Sequence, residues 1–189
     1  MRPYRAVDLN VLWFLIALNV VIFIITLLRP GAISFLGLTP ALLSQQPWTV
    51  ISSIFVHAGW GHIIVNMISL YFLGSFLLRA VGERSFLAVF FLGGLAGNFL
   101  FVLLANPFST AVGASGAIFA LGGALVVIVP RAQVLIFPIP VPMPLWVAIL
   151  IFFFISFLPG IAWQAHLGGL LLGVAAGFLF RRRRRLYYI

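Results

Sequence analysis

The chain has 189 residues, 64% of them hydrophobic and only 7% charged. A soluble domain carries about 25% charged residues, so the composition excludes one and indicates a single polytopic, all-α membrane domain. The formal charge of +9 comes from eleven arginines against Asp8 and Glu83, without lysine or cysteine, which excludes disulfides, thiol nucleophiles and Cys-ligated zinc.

Arg2 and Arg5 lie in a short N-terminus, residues 1–8, expected to be cytoplasmic. The apolar run from about Leu9 to Leu28 is longer than a signal-peptide core and lacks a small-x-small cleavage site. It reads as a retained first span, with Asn19 facing other helices. Residues 29–60 contain Pro30, Gly31, Gly37, Pro40 and Pro47 and are too apolar for a solvated linker. Short amphipathic pieces in the membrane interface are expected there, with Trp48 and Trp60 at headgroup level. His57 reads as interfacial.

The second span is expected from about Gly61 to Leu78 and the third from about Phe86 to Leu104, joined by a turn with Gly82, Glu83 and Arg84. Asn106-Pro107 breaks the third. The fourth runs from Ser115 to about Val129. Pro138, Pro140, Pro142 and Pro144 then alternate with apolar residues and predict an extended segment. The fifth span is Leu145 to about Leu158, before Pro159-Gly160, and the sixth about Trp163 to Phe180. The run Arg181 to Arg185 opens a basic cytoplasmic tail, residues 181–189, and reads as a stop-transfer signal and anionic-lipid anchor rather than a nucleic-acid site. If both termini are cytoplasmic, every arginine except Arg29 falls on the inner side, which favours that orientation.

Ionisable groups inside a membrane are functional candidates. At about 1.5 Å per helical residue, Ser115 lies roughly 24 Å above Arg131 and His166 roughly 22 Å above Arg181. His62 and Asn66, four apart on one helix face, lie roughly 26 and 20 Å above Arg79. Three separate helices thus place polar residues near one level. The fourth helix is too short to reach the outer surface, so the loop before it must dip inward, into protein or a water-filled cavity. Gly116 and Ala120 on that helix, and Gly169, Gly173 and Gly177 on the sixth, form small-residue stripes that allow close backbone approach.

Elimination narrows the chemistry. Ser-Lys catalysis needs a lysine, and HExxH is absent. Both acids fall at the inner face, which removes an aspartic dyad and a Ser-His-Asp triad. A Ser-His dyad remains, with Ser115 as nucleophile and His166 as base and then acid. Without an acid the imidazole must be oriented by packing, and Phe119, one turn beyond Ser115, is the candidate. An oxyanion would be met by the Ser115 N–H, the Asn66 amide and His62, and Gly113 would let backbone approach a substrate carbonyl.

These residues resemble the rhomboid family of intramembrane serine proteases. His57-Ala-Gly-Trp-Gly-His62-Ile-Ile-Val-Asn66 fits HxxxxHxxxN, Gly113-Ala114-Ser115-Gly116 fits GxSG, and Ala165-His166-Leu-Gly-Gly169-Leu-Leu-Leu-Gly173 fits AHxxGxxxG. Glu83-Arg84 is similar to the family's turn after the second helix. The resemblance covers about Trp48 to Gly177. It implies a six-helix bundle, the dyad Ser115 and His166, and His62 with Asn66 stabilising the oxyanion. It also implies cleavage of transmembrane protein substrates near their outer ends, without metal or cofactor, with the fifth helix as the usual candidate for a substrate gate. Two departures stand out: Phe119 replaces a frequent tyrosine, and Trp48-Thr49 replaces Trp-Arg. A multi-pass protein of a prokaryotic plasma membrane, its site opening to the outer side, is expected. A non-catalytic rhomboid-like protein that binds unstable transmembrane helices is the alternative. A channel or transporter is disfavoured by the scarcity of intramembrane charge.

Overall fold

The computed structural model describes residues 8–29, 31–136 and 139–186; Arg2, Arg5, Pro30, Pro138 and the last three residues of the basic tail lie outside the described residues, as do the side chains of Arg182 to Arg185. The described chain is mainly helical. Helix α1 (Asn10–Leu28) begins where Asp8 accepts hydrogen bonds from the Asn10 N–H and side-chain amide, both at 2.8 Å. Its Leu12, Leu15, Asn19, Phe23 and Thr26 form one buried stripe, while Phe14, Val21, Ile24 and Leu28 on the other faces are exposed. That outward apolar face suits a lipid surround. Asn19 is buried, but its amide donates to Leu15 of its own helix at 2.7 Å.

The first loop folds into α2 (Gly31–Leu36), a 3-10 turn (Pro40–Leu42), α3 (Thr49–Ser52) and a second 3-10 turn (Ser53–Phe55). Trp48 and Trp60 are partly and largely exposed, and the Trp48 indole donates to the Phe35 carbonyl at 2.8 Å. His57 is only 1% exposed, packed within the protein against His62.

Next come α4 (Trp60–Val81) and α5 (Glu83–Leu104), separated by Gly82 at φ 81°. Glu83 opens α5, where a negative charge meets the positive end of the helix dipole. Helix α6 (Ser115–Ile128) is the centre of the molecule and buries eleven of its 14 residues. Helix α7 (Leu145–Ile155) is shorter than expected and α8 (Trp163–Leu186) longer. At the end of α7 the Ser156 hydroxyl bonds back to the Phe152 carbonyl at 2.9 Å and its N–H is shared between two carbonyls. These bonds tighten the helix end before Pro159 is reached. In α8 the arginine run continues the helix instead of ending it, because arginine is a good helix former; it marks the end of an apolar span, not of a helix.

Among the described residues, four helices are long and apolar enough to cross a membrane: α1, α4, α5 and α8 up to Arg181. At 14 and 11 residues, α6 and α7 reach only about 21 and 17 Å at 1.5 Å per residue. Between them β1 (Gln133–Ile136) and β2 (Ile139–Pro144) pair antiparallel. The proline segment is extended as expected. Its pairing is not signalled by the sequence, and it adds a small hairpin to an otherwise helical fold.

Close backbone contact holds α6 against α8. A side chain at Gly169 would overlap the Gly116 carbonyl, and one at Gly173 the Ala120 carbonyl. Only glycine permits this separation. Helix α5 closes the third side, with Gly97 facing the Ala165 carbonyl of α8.

Candidate active site

The loop before α6 is fixed by backbone bonds rather than by its own side chains. Leu38 and Ala111 exchange N–H···O bonds of 3.0 and 2.8 Å. The Gly113 N–H donates to the Ser53 carbonyl at 2.8 Å. Ser53 is held in turn by the buried Asn98 of α5, whose amide donates to Ser53 Oγ at 2.9 Å and to the Val50 carbonyl at 2.7 Å. Sequence reasoning does not single out Asn98 or Ser53; an amide inside an apolar helix is the available signal.

Gly113 has φ 122°, which disfavours any L side chain. A side chain would also begin 2.7 Å from His62 Nε2 and 3.7 Å from Ser115 Oγ. Gly113 therefore brings His62 beside Ser115 by being absent as a side chain. Its own N–H is committed to Ser53, so the close approach expected at Gly113 comes from its missing side chain and not from an N–H donor.

Ser115 is the first residue of α6, where the N–H has no carbonyl one turn earlier to bond. Its hydroxyl lies 2.7 Å from Nε2 of His166, on the first turn of α8. Phe119, one turn further along α6, stacks on that imidazole with ring centroids 4.5 Å apart and planes 25° apart. The expected triplet of Ser115, His166 and Phe119 is thus one cluster. Gly116 and Gly169 provide its spacing, since their contact lies one residue beyond Ser115 and three beyond His166.

The other nitrogen of His166 has a partner the sequence does not reveal. Ser156 Oγ, at the end of α7, lies 2.6 Å from His166 Nδ1 and is 1% exposed. A serine ten residues before a histidine carries no signal of its own, and the sequence marks only Pro159-Gly160 as the end of the span.

His62 accepts a long bond of 3.4 Å at Nδ1 from the Ala58 N–H. This leaves the proton on Nε2, on the side of Gly113 and Ser115. Asn66 is buried on the same face and donates to the His62 carbonyl at 2.8 Å, while its Oδ1 finds no partner among the described residues. His57 stacks edge-on against His62, with centroids 5.0 Å apart. Neither of its ring nitrogens has a hydrogen-bond partner among the described residues. Burial, and then the neighbouring His62, push this imidazole down to about 4, against a weaker upward pull from the Phe55 backbone. A cavity of about 10 Å³ lies behind Ser115, bounded by Asn98, Gly113, Gly116 and Ala165. That is about the room one water needs.

Residues 44–183 match the Rhomboid domain. The chain belongs to the rhomboid family. Rhomboid-like protease 3 of Toxoplasma gondii is 31% identical over 140 residues, covering 72% of this chain and 52% of that protein. RHOMBOID-like protein 5 of Arabidopsis thaliana is 32% identical over 146 residues, 76% of this chain and 47% of that one. Rhomboid protein 1, mitochondrial, of Saccharomyces cerevisiae is 28% identical over 163 residues, 73% and 45% respectively. This rhomboid chain spans about half the length of these relatives. The family and the apolar helices make it a membrane protein. Mitochondrial and plant relatives give no support to the prokaryotic plasma membrane expected from sequence.

Proposed function

We propose that this rhomboid is an intramembrane serine endopeptidase using Ser115 and His166. The observation that carries the proposal is the 2.7 Å contact between Ser115 Oγ and His166 Nε2. In the reaction Ser115 Oγ bonds to the scissile carbonyl carbon as its proton passes to His166 Nε2. The carbonyl oxygen becomes an oxyanion, met by the Ser115 N–H, His62 Nε2–H and a free amide hydrogen of Asn66. The amine leaves with the proton held by His166, and an acyl-serine remains. Water, deprotonated by the same nitrogen, then hydrolyses it. Serine and histidine suffice for each step, so no metal or cofactor is required.

The substrates are transmembrane protein segments, because an apolar site without acids suits peptide bonds delivered within the bilayer. The single unit of residues 1–189 crosses the membrane six times, with α6 and α7 as short crossings. Both termini lie on the inner side, the Arg181 to Arg185 run rests on anionic lipid, and the site opens outward. Reconstituted protein cleaves a membrane substrate, and Ser115→Ala abolishes cleavage; undiminished cleavage by that variant would sink the assignment. Some relatives are named only rhomboid-like, which favours as second reading a non-catalytic binder of unstable helices. Co-purifying helices without cleavage would support that reading.

A further inference from the structure

We infer that Ser156 is a positioning residue that sets the protonation of His166, through a relay running Ser115, His166, Ser156 and the Phe152 carbonyl. This rests on Ser115 and His166 acting as nucleophile and base. The relay is a matter of hydrogen counting. A carbonyl oxygen can only accept, and a serine hydroxyl has one hydrogen to give. Ser156 Oγ is 2.9 Å from the Phe152 carbonyl and 2.6 Å from His166 Nδ1. If its hydrogen goes to Phe152, the oxygen must accept from Nδ1, so Nδ1 carries the imidazole proton. The lone pair is then on Nε2, 2.7 Å from Ser115 Oγ, and can only accept the Ser115 proton. The opposite arrangement leaves the Phe152 contact without a hydrogen and places N–H on the nitrogen that must act as base. One tautomer therefore satisfies all three contacts, and it is the reactive one.

The setting supports the role. Ser156 and His166 are both buried, so bulk water does not compete for Nδ1. Both acids are exposed, Asp8 ahead of α1 and Glu83 in the first turn of α5, so neither takes the position an aspartate holds in a triad. The hydroxyl is aimed by the helix end itself, through the bond to Phe152 one turn earlier. Phe153 of the same helix packs on Phe119 with centroids 6.3 Å apart, and Phe119 stacks on His166. The end of α7 thus orients the imidazole twice, by the hydrogen bond at Nδ1 and through Phe153, which meets edge-on the Phe119 ring stacked on its face. A fixed geometry of the base then needs α7 in place, and not only α6 and α8.

The test is nitrogen-15 NMR of the full chain in membrane mimetic with labelled histidine, the His166 signal being assigned by its loss in His166→Asn. Wild type is expected to show the ring proton on Nδ1, and Ser156→Ala a mixed or Nε2-protonated ring. Cleavage kinetics run in parallel. Loss of one neutral hydrogen bond is expected to lower kcat about tenfold at little change in KM, and Ser156→Thr recovers most of that loss. A ring proton on Nε2 in wild type overturns the inference without any variant having to fold. So does an unchanged tautomer together with wild-type kcat in Ser156→Ala. Failure of wild type to cleave, with the proton on Nδ1, contradicts the proteolytic assignment while leaving the relay standing.

Discussion

Phe119 and His166 stack nearly parallel, 4.5 Å between centroids. The proposed dyad, without an acid, would have nothing charged to hold its base, and this stack offers packing as the constraint instead. Aromatic pairs contribute about 0.5–1.5 kcal/mol beyond area burial. Phe119→Leu is therefore expected to lower kcat about two- to tenfold while the protein stays folded. Phe119→Tyr keeps the ring and is expected to stay close to wild type. Equal turnover by Phe119→Leu and wild type would show that the ring is only filler.

Gly169 sets the distance between α6 and α8, the two helices that carry Ser115 and His166. A methyl group there overlaps the Gly116 carbonyl, which is backbone and cannot swing aside. Gly169→Ala is expected to cost about 1–3 kcal/mol, as overpacking does, and to lower activity more than stability alone explains. A methyl group at Gly59 would have nothing within 4 Å, and φ there is 175°, so Gly59→Ala is the matched control. Thermal unfolding and cleavage rate of the two variants decide the matter; similar values for both would contradict tight α6–α8 packing.

His57 gives a pH dependence of stability. Its imidazole takes up a proton at about 4 in the folded protein, against about 6.5 in an unfolded chain. The unfolded state therefore binds more protons between these values. The stability contribution is present above about 6.5 and is lost as pH falls toward 4. The thermal midpoint of wild type is expected to fall between pH 7.5 and 4.5, and His57→Gln to flatten that fall. Parallel curves for the two proteins would show that His57 does not titrate this way.

Ser115, His166, His62 and Asn66 are legible in the sequence because a chain this apolar has few polar residues to place, and helix rise puts them near one level. The glycine stripes give the pairing of α6 with α8. Other features depend on contacts far apart in sequence. Asn98 meets Ser53 across 45 residues, and no local pattern announces that. Ser156 carries no signal of its own beside Pro159-Gly160; only the folded chain shows its oxygen turned to His166. The place of His57 near Trp60 does not announce its burial, which comes from packing against His62. The arginine run signals a membrane boundary and is silent on where the helix ends.

The central claim is that Ser115 is a nucleophile activated by His166. Its most direct measurement is the site and rate of fluorophosphonate labelling of the full chain in bilayers, mapped by peptide mass spectrometry. Labelling is expected on Ser115 alone among the serines, and it is expected to be lost in a folded His166→Ala variant. Absence of label on Ser115 in folded wild type, or undiminished labelling without His166, would contradict it.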